Sequence, residues 1–412
     1  MTLSSAPPAT EAAPAVPREP SGARRRRPSP ARRFAARLTP ADRDVLWLYV
    51  LTRAGLWVTE YCARWIFPAD TASHRPVSVL APWQQWDWAY YLHIARDGYF
   101  PAGGPGPGEQ GWDNRDAFFP GFPMVLRAVH TVIRDWTAAG LTISFVAGAV
   151  AVLALGRIAG RDLPGADAGR RTVRLFLLSP CAVFLAAGYT EALFLALALP
   201  AWLAARRAAW GQAAVLTCLA CAVRVSGLFL AAALAVQFLA SVRRPRDLRA
   251  LPWLALPALP PLLYSAYLKG RTGDWMAWKD AEERGWARDF HSPWTAWHHT
   301  WTAAFGHTQS TGYAAMFQAE LLAMLAGVGV LVYLLWRHRW AEAVYIALSL
   351  WALGTSYWYM SIPRAALLWW PLWTSLCAAT TVRPRLRTAY FAVAGPLATV
   401  VALAFFTGRW AG

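Results

Sequence analysis

Apolar runs close to twenty residues long recur along this chain, and short arginine-rich segments separate them. A helix needs about 20 apolar residues to cross the hydrocarbon of a bilayer, and it satisfies its own backbone hydrogen bonds there. Only 15% of the residues are charged, against roughly 25% in soluble domains. The 25 Trp residues are typical of membrane–water interfaces. The sequence therefore predicts an all-α polytopic membrane protein.

The lengths of these runs predict about eleven transmembrane helices. Their approximate bounds are 44–67, 139–160, 172–188, 190–206, 210–224, 226–242, 250–268, 313–336, 340–360, 364–381 and 387–407. The apolar segment 118–135 is interrupted by Pro120 and Pro123, and a crossing there would put the basic loop 157–171 on the outer side. We therefore expect a short interfacial helix at 118–135. Because basic residues mark cytoplasmic loops, we expect a multi-pass plasma-membrane protein with a cytoplasmic N-terminus.

The chain divides into a polar tail and an apolar domain. Residues 1–43 are rich in Pro, Ala and Arg and cannot bury a core, so we expect a disordered basic cytoplasmic tail. The first apolar run begins near Val45 and is too long for a cleaved signal peptide. Residues 44–412 are expected to form one transmembrane domain with two large outer loops, the first at 68–138 and a Trp-rich second at 269–312.

Charge and composition exclude several kinds of partner. The net charge is +17, but the arginines are spread over many loops, so we expect no nucleic-acid partner. The histidines of the second outer loop lack compact ligand spacing, so we expect no metal, and no cofactor is indicated. We find no Gly-rich nucleotide loop, and the outer loops carry no DxD pair of the sort that holds a metal–nucleotide complex. A transferase of this kind would therefore use a lipid-linked donor.

One acidic residue stands among aromatic residues in the first outer loop, in the stretch WDWAYYLHIARDGY (86–99). Asp87 suits a general base that activates a hydroxyl group, and neighbouring aromatic residues such as Trp86 and Tyr91 suit packing on a sugar or a prenyl chain. The alternative is that Asp87 caps the helix that follows it. The stretch taken alone leaves both roles open.

The predicted topology brings three hairpin tips to the same side as Asp87. They are residues 188–191, 224–227 and 361–364. Charged groups at membrane depth need partners, so either Glu191 and Arg224 pair structurally, or an arginine holds a phosphate, which the guanidinium fork suits. Arg53 and Glu60 lie on one face of the first predicted span, where functional and structural pairing are again both open.

Several segments resemble, in their order along the chain, the PIG-V family of membrane mannosyltransferases within the GT-C glycosyltransferases. They are WDWAYYLHIARDGY (86–99), AFFPGFP (117–123), SPCAVFLAAGYTEALF (179–194), RVSG (224–227), GDWMAW (273–278) and IPR (362–364). The resemblance implies a GT-C fold and an inverting, metal-independent transfer of mannose from a polyprenyl-phosphate mannose on the extracytoplasmic face. Scarce Lys beside abundant Arg and Ala indicates a high-GC bacterium, so the carrier would be a bacterial prenol.

The resemblance also assigns roles to residues. Asp87 corresponds to the acidic residue of the family's first loop, the expected catalytic base, and Ser226 stands where the eukaryotic pattern carries Asn. The candidates for binding substrate and the donor phosphate are Trp86, Tyr91, Arg115, Tyr189, Glu191, Arg224 and Arg364. The expected partners are a polyprenyl-phosphate sugar donor, a lipid, glycan or protein acceptor of the envelope, and membrane lipids.

Two other classes of function compete with a transferase. A lipid-linked-sugar transporter or flippase would need polar residues through the depth of the bundle, often with inverted repeats. The polar groups here gather at one face and we see no repeat. A non-catalytic membrane scaffold for envelope assembly is the other alternative.

Overall fold

The computed structural model describes residues 2, 38–68, 78–104, 106, 107 and 109–411, with the backbone alone for 245–247. Most of the predicted disordered tail, residues 1–43, therefore lies outside the described residues. Its last part does not, because the first helix already begins at Pro40.

The described residues form sixteen α-helices and no strand, which confirms the all-α class. They are α1 (Pro40–Ile66), α2 (Trp88–Asp97), α3 (Gly121–His130), α4 (Trp136–Asp162), α5 (Ala168–Leu177), α6 (Thr190–Ala205), α7 (Trp210–Val223), α8 (Gly227–Ser241), α9 (Leu259–Thr272), α10 (Ala277–Trp286), α11 (Pro293–Phe305), α12 (Thr311–Trp336), α13 (Trp340–Gly354), α14 (Ile362–Ala365), α15 (Trp370–Val382) and α16 (Pro384–Phe406). Short 3₁₀ segments join some of them, at Ala81–Trp83, Arg115–Ala117, Ala182–Leu185, Pro245–Ala258 and Ala366–Leu368.

Three of these helices, α4, α12 and α16, are long and apolar enough to cross a membrane. A fourth candidate is the pair formed by Ile362–Leu368 and Trp370–Val382, which is bent by 83°. Four further apolar helices, α6, α7, α8 and α13, are 14 to 16 residues long. At 1.5 Å per residue they span only about 21–24 Å. The chain is thus a helical membrane protein, and the count of eleven spans stays a prediction.

Prolines break three of the predicted spans. In the predicted span 172–188, α5 ends at Leu177 and Pro180 precedes a 3₁₀ turn, because proline lacks an N–H and disfavours helix in the residue before it. The predicted span 250–268 is likewise divided, with a proline-containing 3₁₀ segment up to Ala258. The predicted span 364–381 bends where α15 starts, with Pro371 in its first turn.

The segment 118–135 holds α3, a helix of ten residues. Ten residues extend about 15 Å along a helix, half of the hydrocarbon thickness of about 30 Å. The helix α3 is therefore too short to cross the hydrocarbon, and the interfacial location of the segment stays a prediction.

The indole of Trp88 fixes the start of α2 against the rest of the bundle. It packs against Gly140 on α4 and Gly188 at the tip before α6, where a Cβ on either glycine would lie 2.6 Å from the ring. Both glycines are thus required by close approach. Because Trp88 follows Asp87 directly, this contact places Asp87 beside the tip that carries Tyr189 and Glu191.

The Trp-rich segment 269–312 is tied to the turn that precedes α14. The amide of Tyr357 donates to the carbonyl of Ala287 at 3.2 Å, and the amide of His291 donates to the carbonyl of Thr355 at 2.7 Å. Trp286 also packs edge-on against Phe118, with 5.3 Å between ring centroids. Trp286 also contacts Tyr90 on α2, with 5.5 Å between ring centroids, so α10 lies over the start of α2.

Candidate active site

A cavity of about 210 Å³ lies where α2, the hairpin tips and α10 meet. Ionisable and aromatic side chains share its wall. They include Asp87, Tyr91, Phe118, Phe119, Arg224, Trp278, Glu282, Trp286, Arg288 and Arg364. The wall therefore combines two carboxylates and three guanidinium groups with flat aromatic surface.

Asp87 reaches this cavity from the position just before α2. Its carboxylate makes no capping hydrogen bond to the helix, so the side chain of Asp87 does not cap α2. Instead Oδ2 accepts a hydrogen bond from Nη1 of Arg364 at 2.7 Å. The side chain is 19% exposed, so a small molecule in the cavity can contact it.

Glu191 joins the two arginines that line the cavity. Its Oε1 accepts from Nη1 of Arg224 at 2.9 Å and from Nε of Arg364 at 2.8 Å, and its side chain is fully buried. Arg224 Nη1 also donates to the hydroxyl of Thr190 at 2.5 Å. The structural pairing of Glu191 with Arg224 is therefore present. Together with Asp87, these groups form a row of alternating charges in which each charge has a partner, as buried ions require.

The guanidinium group of Arg364 is fixed by rings and by its own helical turn. Its Cζ lies 4.8 Å from the ring centroids of both Phe184 and Tyr189. The turn that carries it begins at Ser361, which has a left-handed φ of 65°. Both carboxylate oxygens of Glu320 on α12 accept from this turn, from the amides of Ser361 and Ile362 at 2.7 Å. Glu320 thus positions Arg364 without touching the cavity.

A second carboxylate, Glu282 on α10, also lines the cavity. Its Oε2 lies 2.9 Å from Nε of Arg288, just beyond the same helix. Burial raises the pKa of Glu282, the Arg288 and Arg224 charges oppose that rise, and the negative charge of Asp87 adds to it. A raised pKa together with a charge partner in a cleft is typical of functional sites.

Sequence reasoning missed Glu282, Arg288 and Glu320. Glu282 and Arg288 belong to a long polar segment, and nothing local in the sequence links that segment to Asp87. Glu320 did carry a signal, since an acidic residue inside an apolar run marks a functional or structural site.

Two of the predicted binding residues do not line the cavity. Arg115 bonds to Asp113 at 2.8 Å and to the carbonyl of Gly98 at 3.2 Å, because the acidic residue two positions earlier takes its guanidinium group. Trp86 has a left-handed φ of 50° and its side chain is exposed on the surface. Neither residue lies among those that line this cavity, and their roles in binding stay predictions.

The remaining predicted residues are gathered at the cavity in two layers. Tyr91, Arg224 and Arg364 line it beside Asp87. Tyr189 and Glu191 lie behind Arg364, and the hydroxyl of Tyr189 donates to the carbonyl of Gln85, just before Asp87.

The intramembrane charges of the first predicted span do not pair with each other. Glu60 forms an ion pair with Arg64, one turn further along α1, with 2.7 Å between Oε1 and Nε. Arg53 instead lies over the ring of Tyr49, with 5.1 Å from Cζ to the centroid.

Comparison with known proteins finds a family that is similar to the part of the chain supplying 11 of the 24 residues that line this cavity. The family model for mannosyltransferase (PIG-V) matches residues 67–244, a region that contains Asp87, Glu191 and Arg224. GPI alpha-1,6-mannosyltransferase 2 of Mus musculus is 30% identical over 178 residues, 41% of this chain and 34% of the relative. The protein of the same name from Homo sapiens is 29% identical over 171 residues, 39% of this chain and 32% of the relative. The matched part thus spans about a third of these relatives. Residues 67–244 are thus similar to the PIG-V family of mannosyltransferases.

Proposed function

We propose that this protein is an integral-membrane mannosyltransferase. It moves a mannosyl residue from a polyprenyl-phosphate mannose to a lipid, glycan or protein hydroxyl of the envelope, on the extracytoplasmic face. The observation that carries the proposal is the contact between Asp87 and Arg364 in a cavity that Arg224 also lines. A base and two phosphate-binding groups are thereby within reach of one substrate.

In the proposed reaction Asp87 takes the proton of the acceptor hydroxyl as its oxygen attacks the anomeric carbon of mannose. The bond from that carbon to the phosphate oxygen breaks, and the polyprenyl phosphate leaves with the bonding electrons. Because the acceptor attacks opposite the leaving group in a single displacement, the anomeric configuration inverts.

The arginines have the complementary task. Charge grows on the phosphate as the bond breaks, and fixed donors aimed at developing charge stabilise a transition state. Arg224 and Arg364 are held in place before any substrate binds, since both bond to the buried Glu191. Guanidinium groups are suited to phosphate because their N–H groups bind two of its oxygens at once.

The aromatic residues of the cavity suit a sugar. Phe118, Phe119, Trp278 and Trp286 all line it, and flat apolar faces of this kind pack against the C–H groups of a pyranose ring. A lipid-linked donor is supported by the apolar helices that surround the cavity and by the lack of a nucleotide-binding motif in the sequence.

The direct test is product formation by the purified full chain in lipid nanodiscs. We expect transfer of label from radiolabelled polyprenyl-phosphate mannose to an envelope extract, and no transfer from GDP-mannose. Flux of the mannosyl carrier across proteoliposomes without product would identify a transporter or flippase instead. If envelope acceptors and carrier are both present and neither product nor flux is detected, the proposal is overturned and the scaffold role remains.

A further inference from the structure

A second cavity, also of about 210 Å³, lies between α1, the turn Ala81–Trp83 and α4. It shares no lining residue with the cavity at Asp87. Its wall is mostly apolar and aromatic, and Arg53 is the one charged side chain among its lining residues.

The guanidinium group of Arg53 is buried and has no hydrogen-bond acceptor among the residues that the structure describes. The residue is 5% exposed, and Nε, Nη1 and Nη2 all lack a hydrogen-bond partner within the described part of the chain. Its face rests on the ring of Tyr49, whose hydroxyl donates to the carbonyl of Phe145 at 2.9 Å. Within the described ranges, the cation is thus held in place by a ring and not by an oppositely charged group.

A second donor in the same cavity also lacks a hydrogen-bond partner in the described part of the chain. Trp83 is fully buried between Trp57 and Phe406, with ring centroids 5.0 Å and 4.8 Å away. Its Nε1 has no acceptor among the described residues. Buried donors are nearly always hydrogen-bonded, because a lost partner leaves the full cost of desolvation. Two such donors at one cavity indicate a ligand with several acceptor oxygens.

The position of the cavity indicates where this ligand comes from. Thr142 lines the cavity and belongs to the long apolar helix α4, which begins at Trp136. It lies six residues after Trp136, and so about 9 Å from the start of α4 along the helix axis. Trp57 and Phe145 at its rim are exposed on the outside of the bundle, where lipid surrounds a membrane protein. A phosphate attached to acyl chains can therefore enter sideways, with its chains against the aromatic rim.

We propose that this cavity binds the phosphate of an anionic phospholipid from the leaflet on the Asp87 side. Arg53 supplies the charge and the forked N–H groups that bind phosphate oxygens, and the indole N–H of Trp83 supplies a further donor. The site does not depend on the reaction proposed for the Asp87 cavity, so either proposal can fail alone.

Photo-cross-linking of the full chain tests this site. The protein is placed in vesicles of phosphatidylcholine with a minor share of phosphatidylglycerol that carries a diazirine in its acyl chain. We expect label on the peptides around Trp57 and Phe145, displaced by unlabelled phosphatidylglycerol but not by phosphatidylcholine or inorganic phosphate. Arg53→Gln should lower that label about tenfold, the scale of one charge-assisted hydrogen bond. Arg64→Gln, on the same helix, should keep it.

The competition arms need no variant, so they decide the question even if Arg53→Gln fails to fold. Arg53→Lys, which keeps the charge but loses the fork, should retain part of the label. Undiminished labelling in a folded Arg53→Gln protein would overturn the site. Displacement by inorganic phosphate, by phosphatidylcholine, or by polyprenyl phosphate in preference to phosphatidylglycerol would overturn the phospholipid as its ligand.

Discussion

Replacing Glu191 with glutamine removes the negative charge that two guanidinium groups share. Glutamine keeps an oxygen that can accept from Arg224 and Arg364, now 2.9 and 2.8 Å from Glu191, but two cations then face one carboxylate, that of Asp87. Removing one partner of a buried ion pair costs about 3–5 kcal/mol. The side chain of Arg224 is 27% exposed and keeps some hydration, whereas that of Arg364 is 9% exposed. We therefore expect Glu191→Gln to lower the free energy of unfolding by the low end of this range, about 3 kcal/mol.

Thermal unfolding of the purified full chain in detergent measures this loss. A change of about 3 kcal/mol lowers the midpoint by roughly 6 to 12 °C, at 2–4 °C per kcal/mol. Asp167→Asn is the matched control, because its pair with Arg170 is exposed on both sides and such surface pairs contribute little. A Glu191→Gln protein that unfolds at the wild-type temperature would refute the view that one buried carboxylate holds both arginines.

Gly188→Ala would put a methyl group 2.6 Å from the indole of Trp88, and overpacking of this kind costs about 1–3 kcal/mol. We expect Asp87 to shift and transfer to slow, and an unchanged rate would contradict this placement. Glu282→Gln frees a cavity-lining cation from its partner at 2.9 Å, so the KM for the anionic donor should fall in steady-state kinetics, whereas a higher KM would contradict that reasoning. Burial raises the pKa of Asp116, so the stability of the wild type should fall as pH rises through that raised pKa. Thermal midpoints of Asp116→Asn should lose this decline, and an identical pH profile would exclude Asp116 as its source.

The class of fold and the gathering of charges were predictable from the sequence. Long apolar runs predict membrane helices directly, because length and composition are local properties of the sequence. Hairpin tips on one side of a membrane lie in one plane, which is why Asp87, Glu191, Arg224 and Arg364 could be placed together before their distances were known. The predicted membrane topology thus supplied long-range information that the sequence of a soluble chain does not provide.

The parts that sequence reasoning missed depend on tertiary contacts. Glu282 reaches the cavity only because α10 packs on Phe118 through Trp286, and no periodic pattern in the sequence predicts that contact. Arg115 does not reach the cavity because Asp113 binds its guanidinium group. The broken spans have a local cause, which is proline. Pro180 could be read from the sequence, but proline predicts a helix end less strictly in membrane helices, because it is more frequent there than in soluble ones.

The central claim is that Asp87 accepts the proton of the acceptor, and the single-turnover rate of mannosyl transfer by Asp87→Asn tests it most directly. Asparagine keeps the size of the side chain and can still accept from Arg364, but it cannot take up a proton. We expect the rate to fall between about 100-fold and 10,000-fold, the usual contribution of a general base, in a protein that remains folded. Asp97→Asn, at the other end of α2 and paired with Arg96 on the surface, should transfer at the wild-type rate. A wild-type rate in Asp87→Asn would contradict the base role.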